Sequence, residues 1–338
     1  MTIVEAAGVP LQISHLYAVP YLGKMISNII YEIINLIEAV NARFPLPPLP
    51  NPSLNSGFLR IQAALDKGTD VGIDIVPYTL GNTTATILFP PWANRGGKSK
   101  LLAHIRNPDM RKRLEREMTN TVPKWPHWEE GSWSDPYISA IGWKPFRVLS
   151  VQSDKNQWTK GRSFPEIARE WKTTEFSALC RLMLEEDGEV AFTFGFPARP
   201  WIEKMFNKVL AHPLMSIGAD SVLPAQKNGT PPPSAYGCFP RIIGHYSREL
   251  GLFPIEEAVR KMTSLPASHY KLDKRGILKK DAYADLVVFD PLEINESFTD
   301  DGMPQYAKGI SHVFINGQQI VEDGSFHGNL MPGRVLRA

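Results

Sequence analysis

Short apolar runs alternate along most of this chain with segments whose apolar residues recur at helical spacing. Val9 to Ser14 reads as a strand, with Pro10 tolerable at its start. Met25 to Ala42 follows as a helix through Ile29, Ile30, Ile33, Ile34, Ile37 and Val40. Leu59 to Leu65 is a second helix, and Asp70 to Val76 a strand that stops at Pro77-Tyr78. Lys98 to Glu117 reads as a helical pair broken near Asn107-Pro108. Phe146 to Val151 and Glu189 to Thr193 read as strands around helices at Pro165 to Lys172 and Glu175 to Glu186. Trp201 to Leu210 is a helix and Leu214 to Ile217 a short strand. Alternation of this kind predicts a parallel α/β architecture.

Two segments depart from it. Phe44-Pro45-Leu46-Pro47-Pro48-Leu49-Pro50-Asn51-Pro52 is neither helix nor central strand, because its prolines fix φ and remove donors. It reads as a stiff polyproline-like spacer. After Gly276 the pattern turns to β: Leu286 to Phe289, then His312 to Ile315, then the two-residue hairpin signal Asn316-Gly317. Before it, Pro254 to Ser264 is a helix whose stripe is Ile255, Ala258, Val259 and Met262, with Glu256 and Glu257 four residues before Arg260 and Lys261.

Composition closes off several classes. The 338 residues carry 37 Lys and Arg against 35 Asp and Glu, a net charge of +2. That balance does not point to nucleic acid or an anionic membrane. The basic run Arg106, Arg111, Lys112, Arg113 and Arg116 is interleaved with Asp109, Glu115 and Glu117, as on a solvated helix face. The most apolar stretch, Met25 to Val40, carries Glu32, Asn35 and Glu38 and is too polar to span a membrane. The first residues lack a signal-peptide pattern, so a cytoplasmic, reduced protein is expected. Its two cysteines, Cys180 and Cys238, then sit in the core.

Few local motifs carry chemistry. Gly96-Gly97-Lys98-Ser99 lacks the earlier glycine of a phosphate loop, where Trp92 stands, and no Gly-x-Ser-x-Gly elbow occurs. Trp125, Trp128 and Trp133, near His127, line a ligand pocket or pack an inserted loop on itself. Two ionisable residues stand where short strands run out: His15 after Leu11-Gln12-Ile13-Ser14, and Asp220 after Ile217-Gly218-Ala219. At the C-terminal ends of barrel strands such residues ligate a metal and move a proton. A hydrogen-bonded core histidine and a capping aspartate fit the same spacing, and are the commoner outcome.

Several ordered segments resemble one family. They are Ile13-Ser14-His15, Asp74-Ile75-Val76-Pro77-Tyr78-Thr79, Phe89-Pro90-Pro91-Trp92, Ile217-Gly218-Ala219-Asp220 and the run from Gly237 to Tyr246 that continues into Glu257 to Thr263. Ala284 to Asp290 and the Val313 to Gly317 hairpin start complete the set. Together they resemble the C-terminal half of the N-acyl-D-amino-acid deacylases (D-aminoacylases) of the amidohydrolase superfamily.

The resemblance implies an α/β fold: a partial (β/α)8 TIM-type barrel, about strands 6–8, with a C-terminal β-sandwich portion. Residues 1–275 would be the barrel part, with an unusual insertion at 17–56 that holds the proline-rich spacer, and 276–338 the β-sandwich appendage. The implied function is that of a metal-dependent hydrolase acting on a non-peptide amide C–N bond in a linear or cyclic small molecule. Zinc is the implied cofactor. His15 would match the sixth-strand metal ligand, and Asp220 the eighth-strand aspartate that both meets the metal and carries the proton.

The departures are as informative. The family's His-x-His pair has no match, because no two of the eight histidines stand two apart. By the resemblance Met1 would fall just before the sixth strand, and five barrel strands would be missing. An open edge and an uncovered apolar face are then expected, with weak or absent zinc binding by the chain alone and a partner chain supplying the missing half. The lysine, tyrosine and arginine with which the family holds a substrate carboxylate correspond to Tyr17, Val76 and Ser234, with Lys227 a substitute for the arginine. A substrate other than an ordinary N-acyl-D-amino acid follows. The alternative reading is a non-catalytic remnant that binds another protein.

Overall fold

The computed structural model describes residues 2–16, 23–47, 52–124, 131–195, 200–221, 232–299 and 304–336. Helix α1 (Thr2–Ala7) leads into β1 (Leu11–Ile13). Helices α2 (Gly23–Asn41) and α3 (Pro52–Asp66) flank the proline-rich spacer and precede β2 (Val71–Ile75). An inserted unit follows: β3 (Leu80–Thr84), α4 (Pro91–Asn94), α5 (Gly97–Arg106), α6 (Pro108–Asn120), α7 (Tyr137–Ile141), β4 (Arg147–Ser150), α8 (Phe164–Glu170), α9 (Glu175–Glu185) and β5 (Ala191–Gly195). Then come α10 (Pro200–Leu210), β6 (Met215–Ile217) and α11 (Pro233–Arg241). Pro240 sits inside α11, and the chain runs on as a π-helix over Ile242–Glu249. After α12 (Ile255–Met262) and α13 (Ser264–His269) come β7 (Leu286–Phe289), β8 (Asn295–Phe298), β9 (Pro304–Lys308), β10 (Ile310–Ile315), β11 (Gln318–Glu322) and β12 (Ser325–Phe326).

The parallel sheet has the order β1-β2-β6. Leu11 pairs with Val71, Ile13 with Ile73, Ile73 with Met215 and Ile75 with Ile217, so the odd-numbered residues share one apolar face. Helices α3, α10, α12 and the π-helix cover that face, through Ile61, Ala64, Phe206, Leu210, Ile242, Tyr246 and Ala258. Burying a side chain such as Ile73 or Ile75, both fully enclosed, stabilises the fold by about 1.5–3 kcal/mol. The opposite face carries Gln12, Gly72, Asp74 and Ser216. That face is polar, and His269 at the end of α13 lies against it at Gly72.

The expected continuation of parallel strands through Phe146–Val151 and Glu189–Thr193 is also corrected. β4 and β5 form an antiparallel sheet with β3, in the order β3-β5-β4. The sequence reading missed β3, Leu80-Gly81-Asn82-Thr83-Thr84, because it has no apolar run. Around this sheet lies a second core, with Leu88, Leu101, Phe146, Phe164, Leu179 and Phe192 at its centre. Trp133 is buried there, whereas Trp125, His127 and Trp128 lie outside the described residues. Asn107 caps α6 by accepting the amides of Asp109 and Met110, which explains the break before Pro108.

Helix α2 crosses between the inserted unit and α10. The Glu38 carboxylate accepts the backbone N–H of Trp201 at 3.1 Å and of Ile202 at 3.0 Å. The Trp201 indole donates to the Pro47 carbonyl at 3.0 Å, and Lys204 donates to Leu46 O at 3.1 Å. At the other side, Lys144 pairs with Glu32. Ile33 and Val40 of the expected apolar stripe stay exposed, while Glu38 and Asn41 are buried.

The C-terminal strands form a four-stranded antiparallel sheet, β12-β11-β10-β7, and a two-stranded ribbon, β8-β9. Asn316 and Gly317 have φ of 50° and 80° and join Ile315 to its partner Gln318. That is the two-residue turn the sequence announces. On α12, Ala258 is buried as expected, but Val259 is exposed and Lys261 is fully enclosed. No helix among the described residues is long and apolar enough to cross a membrane.

Candidate active site

β1, β2 and β6 run the same way, so the residues that follow them emerge at one end of the sheet. His15 and Asp220 leave the two outer strands there. His15 Nδ1 lies 3.8 Å from Asp220 Oδ2, with side chains 39% and 64% exposed. Both residues have left-handed backbones, φ 58° and 41°. Non-glycine residues seldom adopt this conformation, at a cost of about 1–2 kcal/mol, so something must hold them.

For His15 the holder is Asp74, on the central strand. The His15 backbone N–H donates to Asp74 Oδ1 at 3.0 Å. Ser14 Oγ and Gln12 Nε2 donate to Asp74 Oδ2 at 2.9 and 2.6 Å. The Leu16 N–H donates to the Asp74 carbonyl at 2.9 Å. Asp74 did not enter the sequence reading as a site residue. Its signal was a carboxylate on a strand next to one that ends Gln-x-Ser-His.

The remaining candidates scatter. Val76 follows β2 at the same end and brings no polar side chain. Ser234, near the start of α11, is buried, and its hydroxyl lies 2.7 Å from that of Ser221. Ser221 also donates to the Ala219 carbonyl at 2.9 Å. Tyr17 and Lys227 lie outside the described residues. Among the described residues no group of three or more His, Cys, Asp or Glu side chains is arranged to hold a metal ion. A catalytic zinc takes three protein ligands. His15 and Asp220 are two donors, so these residues by themselves do not fit the ion.

The run from Gly237 to Tyr246 turns out to be a structural joint. Arg241 pairs with Glu296 of β8 and stands 3.4 Å from Glu203 of α10. His245 Nε2 lies 2.6 Å from Glu203, and its Nδ1 2.9 Å from Glu249. Tyr78 donates to Glu296 at 2.7 Å. A Cβ at Gly237 would meet Glu296 Cβ at 2.6 Å, and one at Gly244 would meet the Ile294 carbonyl at 2.5 Å. Both glycines let the helix lie against β8. The bond to Glu203 raises the pKa of His245, and the bond to His245 lowers that of Glu203. Burial, with Glu296 adding to it, pushes Tyr78 up. Cys238 donates to the Gly218 carbonyl at 3.3 Å, and burial raises its thiol to about 12. It and Cys180 are buried and free, as expected for core residues.

Known proteins are similar to this chain in sequence and in fold. The amidohydrolase family matches residues 180–321. A D-aminoacylase from Alcaligenes xylosoxydans xylosoxydans is 36% identical over 197 residues, 58% of this chain and 36% of that protein. An N-acyl-D-aspartate deacylase of the same organism is 34% identical over 190 residues, 56% of this chain and 36% of its own length. A solved D-aminoacylase, described as defining a novel subset of amidohydrolases, superposes with a TM-score of 0.58 at 26% identity. The match covers 97% of this chain and 50% of that one. The N-acyl-D-glutamate deacylase of Bordetella bronchiseptica, solved with zinc and a phosphonate inhibitor, has a TM-score of 0.62 at 22% identity, over all of this chain and 52% of its own. That second likeness speaks to fold alone. The chain therefore spans about a third of these curated relatives and half of the solved ones. Residues 180–321 thus match the amidohydrolase family, and over part of its length the chain is similar to D-aminoacylases.

Proposed function

We propose that this chain contributes His15 and Asp220 to a metal-dependent enzyme that hydrolyses an amide C–N bond in a small molecule. The observation that carries this reading is the approach of the two side chains at the shared end of β1 and β6. The exposed Asp220 carboxylate takes a proton from the water whose oxygen bonds to the amide carbon. It returns that proton to the nitrogen as the C–N bond breaks, and ends unchanged. A positioned acid–base group of this kind supplies about 10²–10⁴ in rate.

In this reading residues 1–275 form part of a (β/α)8 barrel, with β1, β2 and β6 as three of its strands, and 276–338 its β-sandwich portion. Two features support it: the parallel sheet, and the outer edges of β1 and β6, which pair with no strand among the described residues. Zinc is the metal of the solved glutamate deacylase, and copper was bound in a D-aminoacylase variant. Here the remaining donors would come from outside the described residues, on strands that also cover the open edges. The substrate is uncharged where relatives of this kind meet a carboxylate, because Val76 and the Ser221–Ser234 pair offer no cation.

The lack of a three-donor cluster among the described residues favours a second reading, a non-catalytic amidohydrolase remnant that binds another protein. One experiment separates the two. The chain is purified alone, and also co-expressed with the N-terminal half of a D-aminoacylase. Metal content and turnover are then measured on N-acetyl-D-methionine and on neutral N-acyl amides. The enzyme reading expects a metal-poor, inactive chain alone, and in the pair metal uptake with Asp220-dependent turnover that favours the neutral amides. A metal-loaded pair without that turnover leaves the non-catalytic reading. One zinc per chain with turnover in a monomeric preparation would place the site on other residues.

A further inference from the structure

We propose that Asp74 is a positioning residue, whose carboxylate builds the left-handed turn that aims His15 at Asp220. The proposal rests on the reading of His15 and Asp220 as the reacting pair. Two consecutive residues are tied to the Asp74 carboxylate, Ser14 through its hydroxyl and His15 through its amide, while the Leu16 amide continues the ladder to the Asp74 backbone carbonyl. A strand end needs one such bond to stop. Here both carboxylate oxygens are used, and the amide that accepts the strained φ of 58° is the one held by a charged acceptor. Bonds to an ionised acceptor are about twice as strong as neutral ones, enough to offset the left-handed conformation.

The arrangement extends one layer deeper. Gln12 Nε2 donates to Asp74 Oδ2 at 2.6 Å, so Oδ2 carries two donors and Oδ1 faces the His15 amide. Gln12 has room to lie there only because its neighbour on β2 is Gly72. A Cβ at Gly72 would stand 2.2 Å from Gln12 Oε1 and 2.4 Å from the His269 ring. Asp74 pairs with Ser216 in register, so it stands on the strand between the two that end in His15 and Asp220. A carboxylate at that position reaches the turn that carries His15 from the centre of the sheet.

The test uses Asp74→Ala and the isosteric Asp74→Asn, with Asp70→Asn as control. Asp70 pairs with His269 at 3.0 Å, ahead of the same strand, so its substitution removes a bond while leaving the Asp74 carboxylate and its donors in place. Amide hydrogen exchange is followed in the full chain, and kcat and KM in the chain paired with the N-terminal half of a D-aminoacylase. In both Asp74 variants the His15 amide should exchange about 10- to 100-fold faster, while the amides of Leu11 to Ile13 keep their protection. In the pair, kcat should fall about 10- to 100-fold with KM changed less than about twofold, as expected when a reacting group is misplaced. Asp70→Asn should lower the unfolding midpoint and leave both readouts in place. Should Asp74→Ala not fold, Asp74→Asn carries the same measurements, because its amide offers a donor where Ser14 and Gln12 already donate. An unchanged His15 amide overturns the positioning role and leaves the hydrolase reading standing. A released His15 amide with unchanged turnover overturns both, because His15 is then not in the mechanism.

Discussion

Glu38 holds the first turn of α10 from 163 positions away in the chain, its carboxylate accepting the backbone N–H groups of Trp201 and Ile202. A helix leaves its first amides without internal partners, and its positive end favours a carboxylate. Here the cap comes from α2, whose other flank meets the inserted unit through Glu32 and Lys144. The segment between β1 and β2 thereby braces two parts of the molecule.

Removing that cap should be measurable. Glu38→Ala should cost about 1–2 kcal/mol in denaturant unfolding and speed amide exchange at Trp201 and Ile202. Glu38→Gln, which keeps one acceptor oxygen, should cost less. Equal stability of all three proteins would show that the bonds to α10 contribute nothing.

Asp220→Asn tests the proton-transfer role. The residue is exposed at a strand end, so the substitution should leave the unfolding midpoint where it is. In an active assembly it should lower kcat by about a hundredfold or more. Turnover near that of the unsubstituted protein would remove Asp220 from the reaction.

Lys261 gives a pH signature. It is fully buried and donates to the carbonyls of His212 and Met215, with Glu257 at 3.5 Å. Burial lowers its pKa to about 8. The unfolded chain then binds more protons between about pH 8 and the ordinary lysine value, so stability rises with pH across that window. The gain from this residue is on the order of 3 kcal/mol. Lys261→Met should remove it, which unfolding curves at pH 7.5, 9 and 10 would reveal as a flatter profile.

His245 acts with the opposite sign. Its bonds to Glu203 and Glu249 raise its pKa above the ordinary histidine value, against burial and the nearby Arg241. Its contribution is complete below the unfolded value and is lost as pH rises through the raised folded one. His245→Gln should therefore destabilise most at about pH 6 and progressively less above it. A stability difference independent of pH between 5.5 and 8.5 would show that the fold does not raise the pKa of His245.

What the sequence determined by itself was local or strongly patterned. β1, β2 and β6 were legible because each is an apolar run with a clear stop. The α5–α6 break was legible from Asn107-Pro108, and the last hairpin from Asn316-Gly317. The placement of His15 and Asp220 at strand ends was legible, and the structure brings the two side chains within 3.8 Å; the roles proposed for them come from the motif likeness. Tertiary structure decided the rest. β5 reads the same whether its neighbours are parallel or antiparallel, and only its pairing with the polar β3 makes the inserted unit a separate sheet. Glu38 and Lys261 look like solvated charges, yet each is buried where distant backbone groups supply its partners. Asp74 lies 59 residues from His15, a separation at which periodicity says nothing about contact. Local pattern reports which face of an element is buried; which polar group meets which is set only when distant strands come into register.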